Sequence, residues 1–400
     1  MGVTRYKKIA IVYDWIDKWG GVERVLLTLH EMFPETEFYV SYYDPEKASW
    51  AKNLKIRTSF IQNLPKLIRG SRMASLPFYP YAFEAFNFSS YDLVISVTSS
   101  FAKSIITRPE TLHICYLLTP TRYLWVSPDD YIKNRILRSF LSPYLTKLRN
   151  WDFIAAQRPD KIISISQTVA GRCKKYYQRE SEVIFPPFDV DYWKNIKSQF
   201  PISPSTSSGS RAKSRDNFQT NFKFQITNSK KYYLVVSRLE PYKRVDLVIQ
   251  LINLLVQSRQ LNQQLIIVGE GSQLDKLRRE AGENVTFLNK VSDQELGYLY
   301  RNAEALIMPQ EEDFGYVSLE AQFFGCPVIA FKKGGATETV IEGKTGLFFE
   351  EQSVQSLNKA LRRYDVVKYE LKHNSEKFGL KNVERYSKNK FAEKFSSFLK

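Results

Sequence analysis

Four hundred residues exceed what one hydrophobic core ordinarily organises, so the chain is expected to fold as two domains. Hydrophobic residues at 43% and charged residues at 25% exclude a wholly disordered chain, and no apolar run approaches the ~18 residues of a membrane span. A formal net charge of +16, from 58 basic and 42 acidic residues, favours an anionic partner: nucleic acid, anionic lipid or a phosphorylated ligand.

The chain opens as strand, glycine loop, helix. Lys8 to Asp14 is an apolar run with β-branched residues, Gly20-Gly21 follows, and Val22 to Met32 reads as a helix with Val25, Leu26, Leu29 and Met32 on one side. The Lys7-Lys8 start is too short before Asp14 to be a signal peptide. Further strands are expected at Glu37–Ser41, Asp92–Val97, Leu112–Leu117 and Lys161–Ile165, separated by helical or mixed stretches. Continuous apolar strands alternating with helices imply a parallel sheet covered on both faces. Cys115, Cys173 and Cys326 are scattered without a CxxC spacing, which argues against a disulfide framework or zinc site and fits a reducing cytoplasm.

Residues 51–150 hold 14 Lys or Arg against 5 Asp or Glu. One run, 52–72, carries Lys66, Arg69 and Arg72 among apolar residues, and a second, 133–149, carries Arg135 and Arg138. Two readings stand: solvated helix faces over an ordinary core, or amphipathic segments that lie on an anionic bilayer. Nucleic acid is disfavoured, since no zinc-finger, RRM, KH or basic-zipper pattern is present.

Composition changes after Trp193, and 198–228 is rich in Ser, Asn and Gln with little aliphatic content, which predicts a flexible linker or insertion. It separates an N-terminal domain, 1–190, from a C-terminal one, 229–380. The second alternation has strands Tyr232–Val236, Leu265–Val268, Val285–Leu288, Ala305–Met308 and Val328–Phe331, with helices Val245–Val256, Asp293–Asn302 and Ser318–Phe324. A final amphipathic helix, 381–400, is expected to pack back on the first domain through Val383, Phe391, Phe395 and Phe398. The fold class is therefore α/β: two Rossmann-like doubly wound domains facing a cleft, with ligands at the carboxyl ends of strands.

Chemistry concentrates in the second half. Arg238 and Lys243 sit in a strand-to-helix loop whose following helix offers backbone N–H groups and a positive dipole end, a combination suited to a diphosphate. Glu312 and Glu320 are separated by seven residues at the end of the next strand but two, with Gly315 between them. Paired carboxylates accept hydroxyl hydrogen bonds, which suits a sugar and a ribose. Glu320 also reads simply as an acid in the opening turn of a helix, and Gly334-Gly335 as a further turn at a strand end.

The string Glu312-Asp-Phe-Gly-Tyr-Val-Ser-Leu-Glu320 resembles the E-x7-E signature of glycosyltransferase family 4, the retaining, nucleotide-sugar-dependent enzymes of the GT-B fold. Ser237-Arg-Leu-Glu-Pro-Tyr-Lys243 is similar to their phosphate-binding loop, and Val268-Gly-Glu-Gly271 to the strand end that follows. Asp14-Trp15 with Gly20-Gly-Val-Glu23, Cys115-Tyr-Leu-Leu-Thr-Pro-Thr-Arg-Tyr123 and Phe185-Pro-Pro-Phe-Asp189 extend the likeness to the first half. The resemblance implies that Arg238 and Lys243 bind the donor diphosphate and that Glu312 holds hydroxyls of the transferred sugar while Glu320 holds the ribose. Backbone of Phe314, Gly315, Tyr316 and Val317 would face sugar and phosphates. Gly20 and Gly21 would close on them, and Lys290 and Val291 would sit near the base. Trp15, Leu118, Thr119, Arg122 and Tyr123 would line the acceptor side.

No cofactor or metal is implied beyond the nucleotide diphosphate sugar, with GDP-mannose the first expectation and a glycan or lipid-linked acceptor. The place implied is the cytoplasm, peripheral to the cytoplasmic face of a membrane, in surface-polysaccharide assembly. Relatives often carry His immediately before Thr-Pro, where this chain has Leu118; His113 lies on the opposite pleat face and does not replace it. That departure raises an alternative, a catalytically weak nucleotide-sugar-binding subunit of a complex. An NAD-dependent dehydrogenase is disfavoured, because Trp-Gly-Gly-Val is not GxGxxG.

Overall fold

The computed structural model describes residues 6–126, 128, 135–199, 231–260 and 262–400, with the side chains of 135–138 outside that description. The chain divides into two compact units, Met1–Pro187 with Lys388–Lys400, and Phe188–Ser387.

Unit 1 is a seven-stranded sheet in the order β3-β2-β1-β4-β5-β6-β7. Its strands are β1 (Ile9–Tyr13), β2 (Glu37–Val40), β3 (Lys55–Thr58), β4 (Leu93–Thr98), β5 (Leu112–Leu117), β6 (Lys161–Ser164) and β7 (Glu182–Val183), and every pairing is parallel. Central β4 and β5 are buried along almost their whole length, as their unbroken apolar runs require when helices cover both faces. The helix Val22–Met32 buries Val25, Leu26 and Leu29. Edge strand β3 reads Lys-Ile-Arg-Thr and alternates between exposed and half-buried, which is why its sequence gives no continuous apolar signal.

Unit 2 holds six parallel strands in the order β10-β9-β8-β11-β12-β13. They are β8 (Tyr232–Val236), β9 (Gln264–Val268), β10 (Val285–Leu288), β11 (Leu306–Met308), β12 (Val328–Phe331) and β13 (Gly346–Phe349). The helix Val245–Gln257 and the 31-residue helix Val354–Glu384 bury Leu247, Val248, Ile252, Leu357, Leu361 and Tyr364 against this sheet. Both units are doubly wound α/β sheets.

Three expectations need correction. The unit boundary lies at Pro187/Phe188, not at 190, because the helix Val190–Ser198 belongs to unit 2, where Trp193 stacks on Phe188 and meets Phe324 edge-on. The helix expected over 381–400 is two helices. Lys381–Glu384 finishes the long helix of unit 2, where Val383 is buried and the Asn382 amide donates to Gln322 and to the Thr339 carbonyl. Lys388–Phe398 then packs in unit 1, with Phe391 against Tyr116 and Phe395 against Phe33. Unit 2 accordingly reaches Ser387 and not 380.

The basic run 52–72 is not one amphipathic helix either. It is β3 followed by single turns at Phe60–Asn63, Lys66–Arg69 and Arg72–Ser75, broken by Pro65 and Gly70. Much of its charge is spent inside the unit: Lys55 pairs with Glu35, Arg57 with Glu37 and Arg72 with Asp17, while Arg69 donates to the Gln62 carbonyl. In the second run, Arg135–Ala155 is one helix containing Pro143, and Lys133 lies outside the described residues. The stretch expected to be a linker, 198–228, begins with the helical Ser198; from 200 on it also lies outside the described residues.

His113 is fully buried in β5, its Nε2 2.8 Å from the Ser96 hydroxyl of neighbouring β4. Burial pushes its imidazole down to about 3. The unfolded chain, titrating near 6.5, therefore binds the extra proton between these values, and stability falls as pH drops through that window. Lowering the pH from 7 to 5 should cost about 2 kcal/mol through this one group. Chemical denaturation at both pH values should show that loss in the wild type and a smaller one in His113→Gln; identical pH dependence would contradict the assignment.

Candidate active site

In unit 2 the sheet grows outward from β8 in both directions, so β8 and β11 are neighbours, with Leu234 paired to Leu306 although they are 72 positions apart in the chain. The loops leaving their carboxyl ends therefore emerge side by side, the place where doubly wound sheets bind ligands. From β8 come Ser237 to Arg244, ending in the tight turn Pro241–Lys243; Arg244, at φ +51°, turns the chain into the helix Val245–Gln257. From β11 come Pro309 to Gly315.

The two loops are joined by charge. Lys243 is buried, and its Nζ donates to Glu312 Oε1 at 2.5 Å. The buried Gln310 amide donates to the same oxygen at 2.8 Å. Arg238 is exposed and donates through Nη2 to the Tyr242 hydroxyl at 2.7 Å, while the Tyr242 ring lies 5.3 Å from the Lys243 ammonium. Arg238, Tyr242, Lys243, Gln310 and Glu312 thus form one continuous polar cluster. Removing two charges from water is expensive, and their attraction repays it only when the pair is intact.

Gly315, at φ +88°, is the N-cap of the helix Tyr316–Phe323. An L side chain rarely adopts that backbone, and glycine there lets the helix begin two residues earlier than the expected Ser318. Glu320 consequently lies in the second turn and not the opening one. It is buried, and the Tyr300 hydroxyl donates to its Oε2 at 3.0 Å. Gly334-Gly335 proves to be part of the same construction. Gly335 N donates to the Glu312 carbonyl at 2.7 Å, and a Cβ on Gly335 would lie 2.3 Å from the Phe314 carbonyl oxygen. Phe314 is buried between Tyr316 and Tyr386, whereas Tyr316 and Val317 are half-buried. Lys290 and Val291 follow β10, with β9 between that strand and β8, so the sheet order does not bring them beside the Lys243–Glu312 pair.

Residues 216–385 match the family described as glycosyl transferases group 1. That match takes in 170 of the 400 residues, so the second half of the chain is similar to this family. Among relatives, the GDP-mannose-dependent monoacylated alpha-(1-6)-phosphatidylinositol monomannoside mannosyltransferase of Corynebacterium glutamicum is 31% identical over 213 residues, 50% of this chain and 52% of that protein. The GDP-mannose-dependent alpha-(1-6)-phosphatidylinositol monomannoside mannosyltransferase of Mycolicibacterium smegmatis is 34% identical over 139 residues, 32% of this chain and 36% of that protein. The chain thus spans about half, or less, of the length of these relatives. Among solved structures, sucrose-phosphate synthase from Thermosynechococcus elongatus superposes with a TM-score of 0.71 at 16% identity over 98% of both chains. HepE of Anabaena in complex with UDP gives 0.66 at 17% identity, over 98% of this chain and 99% of that one. These likenesses carry the fold, which is of the GT-B class.

The residues similar to the glycosyl transferases group 1 family fall in unit 2; the residues expected on the acceptor side lie in unit 1, at the carboxyl ends of β1, β4 and β5. There Asp14, fully buried, accepts from Thr98 Oγ1 and from the backbone N–H groups of Ser99, Phe101 and Ala102, each at 2.8 Å. Trp15 is half-buried between the Arg72 guanidinium, 4.1 Å from its ring, and Tyr79. Gly20 and Gly21 lead into the helix Val22–Met32, and burial pushes the Glu23 carboxyl in its first turn up to about 6. Leu118 and Thr119 are buried, Arg122 is half-buried, and the Tyr123 hydroxyl lies 2.9 Å from Ser100 Oγ. Leu118 donates its N–H to the Thr98 carbonyl, while His113 is held inside the sheet.

Sequence reasoning missed what anchors this segment. Asp152 is fully buried and accepts from Lys103 Nζ, Thr121 Oγ1, Trp125 Nε1 and the Tyr177 hydroxyl, at 2.6 to 2.9 Å. A lone acid in an amphipathic helix gives no signal of that role. Gln310 and Tyr242 were missed for the same reason, being ordinary loop residues by composition.

Lys243→Met should lower the unfolding free energy by about 3 kcal/mol, because Glu312 loses its buried countercharge. Lys243→Met/Glu312→Gln should recover most of that loss, as denaturant melts of the three proteins would reveal; equal destabilisation of single and double variants would contradict the pairing. Gly335→Ala should also destabilise, by about 1–3 kcal/mol, since the added methyl must displace backbone.

Proposed function

We propose that the protein is a retaining hexosyltransferase that moves mannose from GDP-mannose to a lipid-linked or glycan acceptor. The observation that supports it most is the Lys243–Glu312 pair at the β8/β11 switch point of the half of the chain similar to glycosyl transferases group 1. The specificity in the names of these relatives, GDP-mannose and a phosphatidylinositol monomannoside, supports the choice of donor and of acceptor class.

In this reading Arg238 and Lys243 bind the donor diphosphate and offset the charge that grows on it as the bond from the anomeric carbon to the phosphate oxygen breaks. The acceptor hydroxyl bonds to the same face of that carbon, and its proton passes to the leaving diphosphate. Glu312 holds hydroxyls of the transferred sugar, and Glu320 the ribose. No resident metal takes part, the countercharge coming from the two basic side chains. Because the leaving group serves as base, Leu118 in the position often held by His is compatible with turnover.

The test is a panel of GDP-mannose, UDP-glucose and UDP-galactose incubated with the purified protein and read by mass spectrometry of the products. GDP-mannose should be consumed fastest. Tight GDP binding with no consumption of any donor would favour the second reading, a nucleotide-sugar-binding subunit, which the buried Leu118 and the sequestered His113 support. Glu312→Gln should lower turnover ~100-fold while changing GDP affinity far less, because its contact is to the sugar. Equal losses in both would reassign Glu312.

The acceptor is proposed to be met at an anionic bilayer. In unit 1, Leu67, Met73, Tyr81 and Phe140 are exposed apolar side chains, and Lys66 and Lys147 are exposed cations. Among the described residues no helix is long and apolar enough to cross a membrane, so attachment would be peripheral. Vesicles of phosphatidylglycerol should sediment the wild type at low salt and release it at high salt, and Leu67→Gln/Phe140→Gln should bind weakly in both. Failure of the wild type to sediment at low salt would make a soluble glycan the acceptor.

A further inference from the structure

Two glutamines away from the site show how this side chain serves as a structural staple. Gln322 is fully buried and uses both ends of its amide: Nε2 donates to the Ser318 and Thr339 carbonyls at 3.0 and 2.9 Å, and Oε1 accepts from Asn382 Nδ2 at 2.7 Å. Gln62 is half-buried and exchanges two bonds with Tyr43, donating to its carbonyl at 3.1 Å and accepting from its N–H at 2.9 Å. Each joins separate stretches of chain and engages both its donor and its acceptor, as buried polar groups ordinarily do.

Gln310 is different. It is almost as buried as Gln322, yet only one end of its amide is engaged: Nε2 donates to Glu312 Oε1 at 2.8 Å, and among the described residues Oε1 has no partner. A buried acceptor left unpaired is unfavourable, and an apolar side chain of the same length would avoid that cost. Nor does the loop need this amide to keep its shape. The Pro309 carbonyl, just before it, accepts from Gln352 Nε2 at 2.7 Å, and the Glu312 carbonyl, two residues after it, accepts from Gly335 N at 2.7 Å. Glu311, between Gln310 and Glu312, pairs with Lys333 at 3.3 Å. The backbone is thus pinned on both sides of Gln310 by other groups, and what the amide itself fixes is the Glu312 carboxylate.

That carboxylate oxygen has two donors of different kinds, the Lys243 ammonium and the Gln310 amide. An ammonium is a compact charge with three rotatable donors, so it neutralises a carboxylate without dictating its plane. A planar amide on a pinned backbone donates along one direction and does dictate it. The two donors also differ in what a donor substrate does to them. A diphosphate competes for the charge of Lys243, whereas a neutral amide offers it little attraction.

We infer that Gln310 is a positioning residue that orients the Glu312 carboxylate toward the hydroxyls of the donor sugar, and that it keeps this hold when a diphosphate draws on Lys243. The inference rests on the reading of Glu312 as a sugar-binding group and deepens it, by assigning the residue that aims it. Gln310 acts through Glu312 and touches none of the reacting atoms.

The experiment is titration calorimetry on the full chain with GDP and UDP, each compared with its sugars GDP-mannose, UDP-glucose and UDP-galactose. For the nucleotide sugar that the wild type binds best, Gln310→Met should lower the ratio of its affinity to that of its nucleotide about tenfold, with nucleotide affinity unchanged. The denaturant midpoint should change little, since the bond lost to Glu312 is offset by removal of the unpartnered oxygen. Gln310→Glu places a second carboxyl beside Glu312, and two neighbouring carboxyls resist losing both protons. At pH 8 that variant should match Gln310→Met; at pH 6 a carboxyl that retains its proton can donate to the other, and most of the wild-type ratio should return. Should Gln310→Met not fold, the Gln310→Glu comparison at the two pH values decides. An unchanged ratio in Gln310→Met, equal weakening of nucleotide and nucleotide sugar, or a Gln310→Glu ratio that is the same at both pH values overturns the inference. A wild type that binds neither GDP nor UDP would instead defeat the donor reading on which it rests, so the two failures are distinguishable.

Discussion

A buried lysine facing a carboxylate governs what unit 2 can be. Lys243 and Glu312 are far apart in the chain, and the buried ammonium meets the half-buried carboxylate as a countercharge at 2.5 Å. The pair exists only because β8 and β11 are neighbours in the sheet, which puts the turn Pro241–Lys243 beside the loop from Pro309. The close backbone approach of Gly335 to Phe314 and the left-handed Gly315 then hold that second loop in the shape that aims Glu312 at Lys243. Sheet order, glycine placement and charge pairing are one constraint seen at three scales.

Unit 1 solves the equivalent problem differently. At its own reversal point, between β1 and β4, Asp14 is satisfied by a hydroxyl and backbone N–H groups and not by a cation. Its buried cation, Lys103, is turned instead to Asp152, which gathers Thr121, Trp125 and Tyr177 and so fixes the segment after β5. The net charge of +16 is consequently a poor guide to any one surface, because several of the basic residues in 52–72 are engaged within the unit.

What was legible in the sequence was whatever one element determines alone. The strands Leu112–Leu117, Tyr232–Val236, Val285–Leu288 and Val328–Phe331 and the helices Val22–Met32 and Asp293–Asn302 have the expected bounds, since apolar runs and caps are local signals. Edge strand β3 was missed because half its residues face water, and the long helix Val354–Glu384 because its apolar positions are diluted by Lys, Glu and Asn. Arg238, Lys243, Glu312 and Glu320 were found through a resemblance, but the bond between Lys243 and Glu312 was not, since it depends on strand order. The role of Gly335 was equally hidden: its glycine is required by a backbone twenty-one positions away, not by its own turn.

The most direct test of this account is a double-mutant cycle on GDP affinity, measured by titration calorimetry for wild type, Lys243→Met, Glu312→Gln and the double variant. If the pair is the frame of the diphosphate site, losing Lys243 harms binding more when Glu312 is still charged, because an unpaired carboxylate then faces the phosphates. The account predicts a coupling of about 1 kcal/mol or more between the two substitutions. Effects that add to within about 0.3 kcal/mol would contradict it, showing that the two side chains serve GDP independently or not at all.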